Sequence, residues 1–212
     1  MEKIEFEKDV FIYQTKLISE DLKNKILKDT QLFLKNKPPT KSDSYGYISS
    51  YSTFDFENEF KVINGMYEIL KISILECIKL IKTNNRIFNR INFDAWANIV
   101  RTTNPKQPNF RKNGTVDLHN HVDIQNRIES FYPTYTFVYY VQMPNNLSEN
   151  DGSLIIGGND SRYHFLPEVG DLIIMGGDLP HGPNLALNST KDRIVIAGNV
   201  GFEYVKQNHS LI

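Results

Sequence analysis

The sequence predicts an α+β domain, mainly β, in which helices of the first ninety residues support a β core. Three observations carry this prediction. Apolar residues keep a helical period of about 3.6 over residues 63–81. Near residue 90 the texture changes from helical to β-rich. From there many short β-prone segments follow, separated by Gly, Pro and Asn turns, which is the pattern of a sandwich or small barrel. The 212 residues are read as one domain, with 1–90 as mostly helical support and 91–212 as the β core.

Taken in order, residues 10–14 alternate and predict a first strand. Ser19 is suited to cap a helix, and Glu20 and Asp21 follow where the helix dipole favours anions. Leu22, Ile26, Leu27, Thr30, Phe33 and Leu34 recur at helical spacing, and Lys37-Pro38-Pro39 ends the run. Residues 45–53 predict a short strand. The second helix is carried by Ile63, Met66, Tyr67, Leu70, Ile74, Cys77, Ile78 and Ile81, and Asn84-Asn85 stops it. Cys77 lies within that apolar stripe and reads as a core residue, since no histidine shares its segment.

Residues 91–101 predict a strand around Trp96. Residues 102–116, with two prolines and a glycine, predict a loop of the kind that serves as a lid or substrate contact. Strands are predicted over 134–143, 153–156, 162–166, 171–175 and 193–200.

Bulk composition excludes several function classes. There are 24 basic and 25 acidic side chains, a net charge of -1, so no basic surplus marks nucleic acid or an anionic membrane as a main partner. A single cysteine cannot form an internal disulfide, which suits a reducing compartment. The acidic start has no apolar stretch of the signal-peptide type, and no run approaches the roughly 20 residues of a membrane-spanning helix. A cytoplasmic location is expected.

The chemistry concentrates in Asp117-Leu118-His119-Asn120-His121-Val122-Asp123. In an extended strand His119, His121 and Asp123 share one face. Imidazole with carboxylate suits a divalent first-row metal, and two histidines with one carboxylate leave three positions open, as in non-haem Fe(II) oxygenases. His119-x-His121 is itself a plausible ligand pair. Taken alone, the motif reads equally as a strand end with hydrogen-bonded histidines. His181, between Pro180 and Gly182-Pro183, supplies a downstream imidazole or a simple turn residue. Arg193 opens the apolar run Ile194-Val195-Ile196-Ala197. An arginine there is costly unless it faces water or pairs with an anion.

The ordered set His121-Val122-Asp123, Thr136-Phe137-Val138-Tyr139-Tyr140-Val141, Asp151-Gly152-Ser153-Leu154-Ile155, residues 167–175, His181 and Arg193 resembles the 2-oxoglutarate/Fe(II)-dependent dioxygenases, particularly the prolyl-4-hydroxylase-like group. The resemblance covers roughly residues 91–202 and implies a double-stranded β-helix, or jelly roll. It implies Fe(II) held by His121, Asp123 and His181, and 2-oxoglutarate as cosubstrate, with ascorbate an optional reductant. Arg193 would grip the distal carboxylate of 2-oxoglutarate bidentately. Tyr140 would point a hydroxyl at the same carboxylate, or Tyr139 if the strand faces are reversed. His119 has no counterpart in the family pattern, and is either an alternative ligand or a contact to a neighbouring ligand or the substrate. Trp96 and Asn98, on one strand face, line the pocket or pack in the core.

The implied reaction consumes O2 and 2-oxoglutarate, yields succinate and CO2, and hydroxylates a protein, peptide (prolyl residues included) or small molecule. The alternatives are a cupin-like or lectin-like metal-binding jelly roll without oxidation, which has no use for a buried Arg193, and a structural β-sandwich without metal.

Overall fold

The computed structural model describes residues 2–7, 10–16, 20–36, 39, 41–42, 48–51, 88–100, 118–121, 135–147, 150–157, 162–186 and 189–204. The elements among them are β1 (Glu2–Glu7), β2 (Val10–Lys16), α1 (Glu20–Asn36), β3 (Lys41–Ser42), β4 (Ile48–Tyr51) and β5 (Phe88–Val100). The series continues with β6 (Tyr135–Gln142), β7 (Leu154–Ile156), β8 (Tyr163–Phe165), β9 (Asp171–Gly176), β10 (His181–Pro183) and β11 (Arg193–Tyr204).

The strands form two antiparallel sheets. The larger has the order β1-β2-β9-β6-β11-β5-β4-β3 and the smaller β10-β7-β8. β6 and β11 lie at the centre of the larger sheet. Both its faces are covered there, which explains why 135–142 is buried almost throughout and reads as a continuous apolar run rather than an alternating one. One face packs against the smaller sheet: Val138, Ile173, Met175 and Val195 meet Leu154, Ile156 and Phe165 in a single apolar cluster. Burying each such side chain contributes about 1.5–3 kcal/mol.

α1 packs against β6. Its acidic first turn and Lys35 in the last turn complement the helix dipole. Ile26, Thr30 and Phe33, one stripe of the helix, are buried. Gln31 donates to Gln142 at 2.9 Å, and Gln142 in turn donates to the Asp192 carbonyl at 2.8 Å. Among the described residues no helix is long and apolar enough to cross a membrane.

A bulge in β6 matters for the site. Tyr140 pairs with Val195 and Gln142 with Ile194, so Val141 is an extra residue with no partner on β11. Residues opposite each other in an antiparallel pair share a face. Val138 and Tyr140 therefore face inward with Val195 and Ala197, whereas Tyr139 faces outward with Ile196. The bulge turns Gln142 outward with Ile194, toward α1.

The N-terminal region carries more β structure than its sequence pattern predicts. β2 pairs with β9 and β4 with β5, so this region supplies strands to the same sheet as the core. The predicted helix over 63–81, with Cys77, and the predicted loop over 102–116 lie outside the described residues.

Candidate metal centre and anion pocket

The histidines are placed by backbone pairing. The His119 amide donates to the His181 carbonyl at 3.0 Å, and the His181 amide donates back to the His119 carbonyl at 2.8 Å. The pair thus forms an isolated antiparallel bridge at the free edge of β10, which puts both side chains on one face. Pro183 has no N–H to give, but the bridge needs only that of His181. Two residues on, the His121 amide donates to the Gly177 carbonyl at 2.7 Å, tying the segment to the β9–β10 turn.

The rings converge. His119–His181, His121–His181 and His119–His121 centroids lie 4.7, 5.1 and 5.2 Å apart. One ligand nitrogen from each lies within 4.8 Å of the others. Trp96 backs the group, its ring 6.0 Å from that of His121. His181 Nδ1 lies 2.8 Å from the Leu179 carbonyl. That acceptor fixes the proton on Nδ1 and frees Nε2 as a donor toward the cluster. Both ring nitrogens of His121 are buried and unpartnered among the described residues.

Desolvation sets the charge state of the group. It draws His181 down to about 3, with a further push from His119, and His121 down to about 4, again with His119 adding. His119 is exposed as a residue, yet enough protein packs around its ring that desolvation also lowers its pKa. At neutral pH the site therefore presents uncharged imidazoles with free lone pairs, the form that binds metal.

Arg193 occupies the same cavity from the larger sheet. It is 4% exposed, and its Nη1 donates to the carbonyls of Ser153 and Gly152 at 3.2 and 3.3 Å. Its Nε is buried and unpartnered, and no carboxylate among the described residues pairs with it. Burial lowers its pKa from the usual guanidinium value, but the group stays charged at neutral pH. The guanidinium carbon sits 5.7 Å from the centre of the Tyr140 ring. The Tyr140 hydroxyl is fully buried and unpartnered among the described residues, and desolvation pushes its pKa up to about 12, partly offset by Arg193.

Between these groups lies a cavity of about 190 Å3. Val138, Leu154, Val195 and Ala197 give it apolar walls; Asn98 and Thr136 are polar points on them. The Thr136 hydroxyl already donates to the Gly198 carbonyl at 3.0 Å.

No family model and no curated protein matches this sequence. Solved structures do. A prolyl hydroxylase from Trichoplax adhaerens, in complex with a peptide fragment of the hypoxia inducible factor oxygen degradation domain, matches with TM-score 0.57 and 12% identity over 91% of this chain and 83% of that one. A Pseudomonas putida prolyl-4-hydroxylase matches with TM-score 0.51 and 14% identity, over 91% of each chain. SnoN, a non-heme alpha ketoglutarate dependent epimerase from nogalamycin biosynthesis, matches with TM-score 0.62 and 8% identity, over 89% and 76%.

The fold is a double-stranded β-helix like that of these three enzymes.

Within this double-stranded β-helix the structure brings His119, His121, His181, Arg193, Trp96 and Asn98 to one cavity. Tyr140 shares the inward face with Val138 and lies beside Arg193, behind the residues that line the cavity, whereas Tyr139 faces outward with Ile196. Asp123 lies outside the described residues. Sequence reasoning missed the clasp that holds the Arg193 acceptors. The Asn184 side chain donates to the Asn150 carbonyl at 2.7 Å, and its amide donates to the Ser153 carbonyl at 2.8 Å. The signal was Gly152, which adopts φ +70 in that turn beside Asn150 at φ +66. The side chains that are present fit a first-row divalent metal. They are neutral nitrogen donors, one with its tautomer fixed and one with both nitrogens orphaned.

Proposed function

We propose that the protein is an Fe(II)- and 2-oxoglutarate-dependent dioxygenase that hydroxylates a prolyl residue of a peptide or a small molecule, releasing succinate and CO2. One observation carries this reading. A single cavity holds lone pairs of buried neutral imidazoles and a fully buried guanidinium with no carboxylate beside it among the described residues. A buried, unpaired cation and unpartnered ring nitrogens are each costly alone. A chelating dicarboxylate bound between a metal and Arg193 satisfies both.

His121, Asp123 and His181 would hold the metal, which when bound supplies open coordination positions for cosubstrate and O2. Arg193, aimed by the Gly152 and Ser153 carbonyls, would take the distal carboxylate through its remaining N–H groups. The Tyr140 hydroxyl, kept protonated by burial, would donate to that carboxylate. The apolar walls exclude water and strengthen both contacts. A metal-binding jelly roll without oxidation has no use for the buried cation. The fold likeness to prolyl hydroxylases supports the peptide option, and SnoN, an epimerase, supports the small-molecule one.

Anaerobic titration of the purified protein with Fe(II) and 2-oxoglutarate tests the reading. A visible charge-transfer band that needs both components is expected, and a folded protein that gives none contradicts it.

A further inference from the structure

The roles proposed for His121, Asp123 and His181 leave His119 without one, although it is the residue whose backbone pairs directly with His181. Geometry gives it a role. With metal–nitrogen distances of about 2.1 Å and ring centres roughly 1.1 Å behind the nitrogen, three imidazoles on one ion have centroids about 4.6 Å apart at right angles and about 5.3 Å apart at tetrahedral angles. The observed separations of 4.7, 5.1 and 5.2 Å all fall in that interval. The ligand nitrogens lie within 4.8 Å. A shared ion would draw them to about 3.0–3.4 Å.

We propose that His119 is a metal ligand, so that His119, His121 and His181 form a three-imidazole face that holds a divalent cation without help from Asp123. The three residues are not equivalent. His121 and His181 are 6% and 5% exposed, and His181 is anchored through Nδ1. His119 is exposed, on a segment held to β10 by one bridge and to the β9–β10 turn through the His121 amide. It is the donor that can leave.

Donor counting then gives it a further task, which rests on the function proposed above. Three imidazoles, one carboxylate and a bidentate 2-oxoglutarate fill six positions and leave none for O2. His119 is therefore ligated in the absence of cosubstrate and released when 2-oxoglutarate binds. A nitrogen-rich resting site also favours Cu2+ and Zn2+ over Fe2+ more strongly than two histidines and a carboxylate do.

Cu2+ is the probe for the test. EPR of the Cu2+-loaded wild-type protein should show hyperfine splitting from three directly bound nitrogens. The count should fall to two in His119→Ala, with affinity weakened about tenfold or more, and stay at three in Asp123→Ala. Adding 2-oxoglutarate to the wild type should lower the count to two. Thermal melts of the metal-free variants confirm that each is folded. Two nitrogens in the wild type, or identical spectra and affinity in His119→Ala, overturn the inference while leaving the dioxygenase reading intact. A wild-type protein that binds no stoichiometric metal overturns both. Three nitrogens that persist after 2-oxoglutarate overturn the release step.

Discussion

The two ends of the cavity are built on opposite principles. The imidazole end stands at the free edge of the smaller sheet, on a segment joined to β10 by one bridge and to the β9–β10 turn by one hydrogen bond. The guanidinium end stands on β11, hydrogen bonded on both sides, to β5 and β6, in the middle of the larger sheet. The first end is neutral and has lost protons to desolvation; the second keeps its charge and has no carboxylate partner among the described residues. An edge can rearrange its donors at low cost, whereas a central strand holds a charge at one fixed place. A site that changes its coordination during a reaction, yet grips one end of a cosubstrate throughout, has use for both.

The largest effect that separates the two ends is expected from Arg193→Lys. A point charge replaces a planar fork, so 2-oxoglutarate affinity should fall roughly 10- to 100-fold, the loss of one charge-assisted hydrogen bond at about 1.5–3 kcal/mol. Metal affinity measured by Co2+ titration should stay within about twofold, because the imidazole end is untouched. Equal loss of both would show that the ends are not independent.

Acid should act on the imidazole end alone. His121 and His181 have folded values near 4 and 3 against an ordinary 6.5. Below pH 6.5 the unfolded chain binds protons that the folded chain refuses, so stability falls as pH drops through that window and is unaffected above it. At pH 5 the cost is roughly 2 kcal/mol for each buried histidine. Denaturant melts of the metal-free protein at pH 7 and pH 5 measure it, and His181→Phe should remove roughly half of the dependence. Equal stability at the two pH values would contradict the desolvated, neutral cluster.

A smaller effect is expected from Asn184→Ala, which removes the 2.7 Å bond to the Asn150 carbonyl. The turn that presents the Gly152 and Ser153 carbonyls loosens, and 2-oxoglutarate affinity should fall about five- to tenfold, on the order of 1 kcal/mol. Asn184→Asp keeps the acceptor shape but not the donor and should behave like alanine. Calorimetric titration of the metal-loaded variants distinguishes this from a global effect, since metal affinity should not move.

How much was legible depended on where each residue sits. Strands β5, β6, β9 and β11 stood out because their residues are apolar and β-prone over several positions. β1 carries the same alternation in Ile4 and Phe6, but the surrounding acids hid it. β10 was unreadable as a strand, because His181-Gly182-Pro183 between turn formers looks like a turn; its pairing with β7 and with His119 is a tertiary fact. The choice between Tyr139 and Tyr140 could not be made from sequence either, because the register that pairs Tyr140 with Val195 and Tyr139 with Ile196 leaves no local pattern. The convergence of His121, His181 and Arg193 followed from ordered motifs. The Arg193 acceptors did not, because they are main-chain carbonyls that no side chain announces.

The central claim is that one cavity binds a metal at one end and the cosubstrate's far carboxylate at the other. Titration of 2-oxoglutarate into the protein with and without Mn2+ under anaerobic conditions tests it most directly. Strong positive coupling is predicted, with affinity at least tenfold tighter in the presence of the metal and Mn2+ affinity raised by the same factor when 2-oxoglutarate is present. Equal 2-oxoglutarate affinity with and without Mn2+, or no binding in either case, would contradict the account.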